Sequence, residues 1–185
     1  MSKERMGFLQ GFEKIQLNKE ERAQRLAQNK WAEVLGVDSD EVAQLAEYLI
    51  PYTGYANAVV FSRGEDGSFM CLVISGGINI YKSEAKNALE LIASVGPENT
   101  VGEMALIDGE PRSAYAYASC QTVLFIMTRS NFLRLSEDHP LIWGKLVLKI
   151  ARLLSSRLRK SNEVVEILQA ETSSNIARSF YRKMI

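Results

Sequence analysis

The chain has 185 residues, an apolar fraction of 46% and a formal net charge of zero. This length predicts one domain with helical flanks, and the balanced charge argues against the broad basic face of a nucleic-acid-binding protein. The N-terminus lacks the apolar core of a signal peptide, and no apolar run predicts a membrane span. We therefore expect a cytoplasmic protein that has no membrane partner and does not bind DNA by itself.

The N-terminal part of the chain predicts helices. No strong period precedes Lys19, but Lys19–Leu35 has helical spacing and Gly36 stops it. Asp38 and Glu41 then form the pattern of a capping box. An apolar stripe with helical spacing follows and ends at Pro51.

From Tyr52 to Thr128 the pattern changes to short apolar runs that are separated by turn residues. The runs are Val59–Phe61, Phe69–Ile74, Ile78–Tyr81, Leu89–Val95, Ser113–Ala118 and Thr122–Thr128. Such regular strand spacing predicts an antiparallel barrel or a double-sheet roll. A roll built from about this many strands is just wide enough to hold one small ligand.

The C-terminal part predicts a short helix at Ser130–Leu135 and a long helix from Pro140 to about Leu168. Apolar residues repeat in the long helix with alternating spacings of four and three, interrupted once by Ser161. The members of this seam are Val147, Ala151, Leu154, Leu158, Val165 and Leu168. The heptad spacing predicts a homodimer through the helix 141–168, with packing of the stripe on the barrel as the alternative.

The residues after Leu168 suffice for one further amphipathic helix. They do not suffice for a helix-turn-helix module. We therefore expect either a stand-alone sensor or one fragment of a longer protein.

The stretch Val101–Ala118 carries the pattern of a ligand site. Gly102 precedes a one-turn helix at Met104–Asp108, which Gly109 and Pro111 end. The start of a helix attracts anions, and a glycine there allows a ligand to approach the backbone closely. A short capped helix with no ligand is the alternative.

Arg112 and Glu103 have different roles in this prediction. The planar fork of Arg112 suits two phosphate oxygens, whereas Glu103 would repel the same phosphate and suits a hydroxyl such as a ribose 2′-OH. Each charge-assisted hydrogen bond is worth roughly 1.5–3 kcal/mol. Strand alternation places Ala114 beside Arg112 but turns Ser113 away, so a phosphate contact from Ser113 requires an irregular start of the strand.

The string G-E-M-A-L-x-x-G-x-P-R-S-A at residues 102–114 resembles the phosphate-binding cassette of the cyclic nucleotide-binding domain family. Upstream, Arg63–Tyr81 resembles the turn and two inner strands of that family, and the whole resemblance covers roughly residues 40–168. Thr100 and the loop around Lys82–Ala88 depart from the family pattern.

The resemblance implies a mainly β fold, an antiparallel jelly-roll β-roll with N-terminal helices and a long C-terminal helix. The implied segments are a helical flank at 1–50, the β-roll at 51–129 and helices for a lid or dimer at 130–185. The implied function is a non-enzymatic sensor that couples binding of a cyclic nucleotide to movement of its C-terminal helices. The expected ligand is cAMP, with cGMP or another cyclic nucleotide left open, and the downstream protein is unknown.

The resemblance also assigns individual residues to the ligand. It implies Glu103 on the ribose hydroxyl and Arg112 with Ser113 on the cyclic phosphate. The full set of implied ligand contacts is Gly102, Glu103, Met104, Ala105, Leu106, Arg112, Ser113 and Ala114, with Ser161 and Asn162 on the adenine.

No catalytic or metal-binding residues are predicted. His139 is the only histidine and lies beside a helix start, and Cys71 and Cys120 are widely separated residues of strand-like sequence. Both cysteines are expected to be small buried residues. Two alternatives stay open: the sensing part of a DNA-binding transcription regulator of the CRP/FNR type whose DNA-binding module lies outside this chain, and a scaffold without ligand.

Overall fold

The computed structural model describes residues 9–83 and 89–183, and its centre is an antiparallel sheet that curls into a near-barrel roll. The strands are β1 Gln10–Lys14, β2 Ile50–Phe61, β3 Phe69–Ser75, β4 Ile78–Ser83, β5 Leu89–Val95, β6 Thr100–Val101, β7 Tyr115–Ala118 and β8 Thr122–Thr128. The helices are α1 Lys19–Gln28, α2 Trp31–Leu35, α3 Ser39–Glu47, α4 Glu103–Asp108, α5 Arg129–Asp138 and α6 Pro140–Lys183.

The strands lie in the order β5-β4-β7-β2-β8-β3-β6, and β1 also pairs with β2. All of the described pairings are antiparallel. The core of the roll is built from the inward side chains of the strands, among them Val60, Phe69, Cys71, Val73, Ile78, Ala116, Leu124 and Ile126. The predicted fold class, a mainly β roll with helical flanks, is confirmed.

The N-terminal helices follow the local signals with one exception. The predicted capping box of Asp38 and Glu41 is present at the start of α3, and Gly36 ends α2 in a left-handed conformation. The predicted single helix over Lys19–Leu35 is wrong, because the chain turns at Lys30, whose φ is +57°. A left-handed residue interrupts helical hydrogen bonding, so two short helices replace one.

Strand β1 was not predicted from the sequence. Its residues show no strong period, and only Phe12 of this strand is buried. The strand pairs with β2 through a register shift between Gln10 and Phe12. Its structure therefore depends on a partner that is distant in sequence, rather than on its own pattern.

The C-terminal helices are longer than predicted. Helix α5 extends to Asp138, and α6 continues without a break to Lys183 instead of ending near Leu168. The prediction of a separate helix after Leu168 is therefore wrong. The described residues divide into two compact units, with the boundary between Val147 and Leu148.

Two further observations concern membrane-spanning helices and metal sites. No helix among the described residues combines the length and apolarity that a membrane span requires, and no group of metal-binding side chains is present among the residues 9–83 and 89–183. Cys71 is buried as predicted, but the prediction for Cys120 is wrong, because it is exposed in the turn between β7 and β8.

Candidate functional site

The short helix α4 and the loop that follows it form the predicted ligand region. Gly102 precedes the helix with φ +84°, and Gly109 ends it with φ +77°. Both are left-handed conformations that glycine adopts at little cost. The helix begins at Glu103, one residue earlier than predicted.

The two predicted ligand residues with opposite charges are both buried in this region. Glu103 is 1% exposed and Arg112 is 3% exposed. Burial of a charge is costly unless hydrogen bonds or an opposite charge compensate it. The two side chains are close enough for the negative charge of Glu103 to act on Arg112.

The backbone of Arg112 is held by the turn that precedes β3. Its amide donates to the Glu65 carbonyl at 2.8 Å, and its carbonyl accepts from the Gly64 amide at 2.8 Å. These two bonds fix the position of Arg112 before β7 begins at Tyr115. The turn and the cassette are thus joined at the residue that carries the positive charge.

The guanidinium of Arg112 is held by two carbonyl oxygens and two aromatic rings. Nη1 donates to Gly102 at 2.7 Å, and Nη2 donates to Phe69 at 2.6 Å. The Cζ atom lies 4.3 Å from the ring centre of Phe61 and 4.6 Å from that of Phe69. In the described part of the chain, no group accepts a hydrogen bond from Nε.

Burial lowers the pKa of Arg112 below its ordinary value. Cys71 and the negative charges of Glu103 and Glu65 act in the opposite direction. Because arginine starts from a very high pKa, it stays protonated at neutral pH. The site therefore presents a permanent, poorly solvated positive charge that an anion can neutralise.

Gly102 makes room for Arg112 as well as for the turn. A Cβ atom at Gly102 would lie 2.6 Å from Arg112 Nη1 and 3.1 Å from Cε1 of Phe61. The sequence predicted that this glycine admits a ligand, whereas the space beside its α-carbon is filled by the guanidinium. The role of Gly102 in the structure is thus to bring Arg112 against the cassette backbone.

The alternation that was predicted along the last part of the cassette is present. Ala114, Ala116 and Ala118 are buried like Arg112, whereas Ser113 is exposed. Strand β7 begins at Tyr115, so Ser113 precedes the regular strand. The phosphate contact of Ser113 stays a prediction.

The remaining predicted ligand residues differ in their surroundings. Ala105 and Leu106 are buried, and Met104 is exposed. Ser161 and Asn162 are exposed residues of the second compact unit. Their assignments to the ligand stay predictions.

Arg129 links the cassette to the next helix and was not predicted from the sequence. Its Nη2 donates to the Ala105 carbonyl at 2.7 Å, near the C-terminal end of α4, and its own amide donates to the Ser68 carbonyl at 2.7 Å. A positive charge is favourable at that end of a helix. The first residue of α5 therefore contacts both the cassette helix and the turn before β3.

Phe61 and Phe69 were also missed as residues of the site. They belong to β2 and β3, which are not neighbours in the sheet, and no spacing in the sequence connects either residue with Arg112. Both are buried, which an apolar strand pattern predicts, but the pattern does not reveal which side chain each ring touches.

The comparisons with known proteins agree with this fold. The family model for the cyclic nucleotide-binding domain matches residues 55–139, which include the cassette and the turn before β3. This segment of the chain is therefore similar to the cyclic nucleotide-binding domain family.

Two curated relatives show how much of a longer protein this chain matches. It is 32% identical over 116 residues to the cyclic AMP receptor protein of Thermus thermophilus, a match that covers 63% of this chain and 52% of the relative. It is 26% identical over 144 residues to a CRP-like cAMP-activated global transcriptional regulator of Mycobacterium tuberculosis, covering 77% and 62%. The chain thus spans between about half and three fifths of these relatives.

Solved structures support the fold. A cyclic nucleotide-binding domain from Methylobacillus flagellatus has a TM-score of 0.72 at 24% identity, covering 82% of this chain and 85% of that one. The catabolite activator protein of Thermus thermophilus has a TM-score of 0.65 at 28% identity, covering 74% and 63%.

Proposed function

We propose that this chain is a sensor that binds a cyclic nucleotide, with cAMP as the first candidate, and that it has no catalytic activity of its own. The observation that carries the proposal is the burial of Glu103 and Arg112 in one region, with the guanidinium of Arg112 against Gly102. A cyclic nucleotide offers one negative phosphate for the guanidinium and a ribose hydroxyl for the carboxylate. Each of these two ligand groups suits the charge of the side chain that it would contact.

The phosphate role of Arg112 is supported by its remaining hydrogen-bond capacity. A guanidinium has five N–H donors, and the carbonyls of Gly102 and Phe69 accept from one hydrogen on each terminal nitrogen. An anion that reaches the Nε side would satisfy a buried donor that has no partner in the described part of the chain. We assign the phosphate to this edge of the guanidinium.

Glu103 has the complementary role in the proposal. A buried carboxylate accepts hydrogen bonds and cannot donate them when ionised, so it selects a donor such as the ribose 2′-OH. A 2′-deoxy ligand lacks this donor. Loss of a hydrogen bond to a charged, buried group costs roughly 1.5–3 kcal/mol, which corresponds to a loss of affinity of about tenfold to a hundredfold.

The identity of the ligand rests on what the relatives bind or are named for. Both curated relatives are named for cyclic AMP, and the regulatory domain of Toxoplasma gondii PKA forms a co-crystal with cAMP. A c-di-GMP-responsive regulator from Xanthomonas campestris shares the fold at 21% identity. Cyclic GMP and cyclic dinucleotides therefore belong in the same test.

The output of the sensor is proposed to pass through the C-terminal helices. Within the first compact unit, Arg129 joins the cassette helix to α5, so a shift of α4 on ligand binding would act on the start of α5. A ligand can shift an equilibrium only by its difference in affinity for the two states. Dimerisation through α6 and base contacts from Ser161 and Asn162 are parts of the same proposal.

A panel of nucleotides tests the proposal. Calorimetry with cAMP, cGMP, cyclic di-GMP and 5′-AMP is expected to show binding of a cyclic mononucleotide and much weaker binding of 5′-AMP, whose second phosphate charge Arg112 alone does not match. In the natural chain, the 2′-deoxy form of the bound nucleotide should bind less tightly than the ribose form. In Glu103→Gln, the two forms should bind with the same weak affinity. Absence of binding by every cyclic nucleotide would contradict the proposal.

A second candidate is the sensing part of a transcription regulator. It is favoured by the length of the relatives, since the chain spans only 52% and 62% of two proteins that are named as a cAMP receptor and a cAMP-activated regulator. In this case the DNA-binding module lies outside the present sequence. The length of the open reading frame that encodes these residues separates the two candidates.

A further inference from the structure

Two phenylalanine rings contact the guanidinium of Arg112, whose Cζ atom lies over both of them. Phe61 and Phe69 are both buried, and their rings lie 6.5 Å apart at an angle of 65°. Each ring centre is less than 5 Å from Arg112 Cζ, which is within the range of cation–π attraction. The arginine is thus in contact with two aromatic residues that come from different strands.

Rings and carbonyls hold an arginine differently from the way a carboxylate does. A carboxylate can pair with two N–H groups of the fork and neutralise its charge. An aromatic face attracts the cation but does not pair with two N–H groups as a carboxylate does. Contacts of this kind fix the side chain and leave in-plane donors, including Nε, for another acceptor.

The rings also reduce the penalty of keeping the charge out of water. Desolvation is the largest influence on the pKa of Arg112, and it acts against the charged form. Attraction to a ring offsets part of that penalty, and this attraction is stronger at desolvated sites than at exposed ones. A guanidinium that is fixed before the ligand arrives also loses less side-chain entropy on binding.

We propose that Phe61 and Phe69 are positioning residues of the phosphate site, which hold the Arg112 guanidinium charged and oriented for an anionic phosphodiester. The inference rests on the proposed function, because the phosphate is the group that the oriented arginine would bind. It adds two residues whose effect on binding passes through Arg112 and not through contact with the ligand.

Fluorinated phenylalanines test the positioning role with little change of shape. Stepwise fluorination weakens the negative face of the ring, and with it the attraction for a cation. We expect the affinity for cAMP, or for cGMP if that nucleotide binds more tightly, to fall at each step at position 61 or 69. The total loss should be roughly threefold to tenfold for the trifluorinated ring.

Phe125 provides the matched control. It is fully buried in β8 and has no described contact with Arg112. The same fluorinated series at this position should leave the affinity unchanged while reporting any general effect of fluorine on the core. Urea unfolding of each variant identifies losses of affinity that arise from a destabilised fold.

The outcomes separate the inference from the function on which it rests. If the natural chain binds no cyclic nucleotide, the proposed function and the positioning role both fail. If it binds but the affinity is flat along the series at Phe61 and Phe69, or falls equally at Phe125, the inference alone is overturned. A graded loss at positions 61 and 69 with no change at position 125 supports it.

Discussion

Arg112 lies directly beside Gly102: its Nη1 donates to the Gly102 carbonyl at 2.7 Å, and a Cβ atom on this glycine would be 2.6 Å from the same nitrogen. The guanidinium and the glycine backbone therefore occupy a space that admits no side chain. This relationship links the start of the cassette helix to the charged residue ten positions later, and it makes the glycine part of the site.

The first prediction concerns this close approach. Gly102→Ala should weaken cyclic nucleotide binding at least tenfold, because the new methyl group displaces a guanidinium that two carbonyls and two rings hold. The positive φ adds a strain of about 1–2 kcal/mol. Calorimetry and urea unfolding measure the two effects separately.

Gly36→Ala is the matched control for Gly102→Ala. Gly36 also has a positive φ of +66°, but nothing lies within 4 Å of a Cβ atom built there. It should lose stability from backbone strain and keep its ligand affinity. Equal affinities in the two variants would show that the space beside Gly102 does not matter for binding.

The second prediction concerns the link from the cassette to α5. Arg129→Met removes the side-chain hydrogen bond to the Ala105 carbonyl and leaves the backbone bond to Ser68 in place. The amide of Gly109, which donates to the same Ala105 carbonyl at 3.2 Å, should then exchange its hydrogen several times faster. Hydrogen exchange followed by mass spectrometry or NMR measures this change.

Arg134→Met serves as the comparison for Arg129→Met, because Arg134 lies on the same helix and is paired with Asp138 instead of the cassette. It should leave exchange at Gly109 unchanged. If both variants behave alike, Arg129 does not hold α4, and the proposed route from the cassette to the C-terminal helices loses its support.

The third prediction concerns the two cysteines. Burial raises the pKa of the Cys71 thiol from 9.0 to about 12, whereas Cys120 is exposed. The thiolate is the reactive form, so a thiol reagent at pH 8 should modify one cysteine in the folded protein and two in urea. Cys120→Ser should abolish the reaction of the folded protein, and a remaining reactive thiol would contradict the burial of Cys71.

The same pKa shift predicts a dependence of stability on pH. Since the folded pKa is raised, the protonated Cys71 contributes stability that is fully present below about pH 9 and is lost as the pH rises toward about 12. The slope of the unfolding free energy in this window should be steeper than that of Cys71→Ala by up to about 1.4 kcal/mol per pH unit. Identical slopes would show that the thiol ionises equally in both states.

The fourth prediction concerns assembly. Leu158 is 63% exposed in the single chain, and Val165 on the same seam is also exposed. We expect this seam to pair with a second copy, so Leu154→Asp combined with Leu158→Asp should yield monomers in light scattering.

Leu141→Asp, at an exposed apolar residue outside the heptad seam, should leave the dimer intact. A dimer that survives the double substitution would place the interface elsewhere. The side chain of Leu168 lies outside the described residues.

Sequence reasoning succeeded where a signal is local. The capping box of Asp38 and Glu41, the glycine that ends α2 and the bounds of β5 and β8 follow from neighbouring residues and agree with the structure. It failed where distant residues decide. Strand β1 depends on pairing with β2. The break at Lys30 needs a left-handed backbone conformation, which lysine rarely adopts.

The candidate site divides in the same way. The cassette pattern identified Glu103 and Arg112, because these residues lie close together in the sequence with a glycine and a proline at fixed spacing. It did not indicate that Arg112 would be buried between Phe61 and Phe69, since these rings come from separate strands that only the sheet order brings together. The exposure of Cys120 was likewise missed, because a turn follows the strand-like sequence there.

The measurement that tests the central claim most directly is a calorimetric titration of cAMP and cGMP into the natural chain, Arg112→Ala and Arg63→Ala. Arg63 is an exposed arginine in the turn before β3 and controls for the loss of one positive charge. We predict binding to the natural chain, nearly unchanged binding to Arg63→Ala, and a loss of at least a hundredfold for Arg112→Ala. Undiminished affinity in Arg112→Ala, with the fold intact, would contradict the assignment of the phosphate to this arginine.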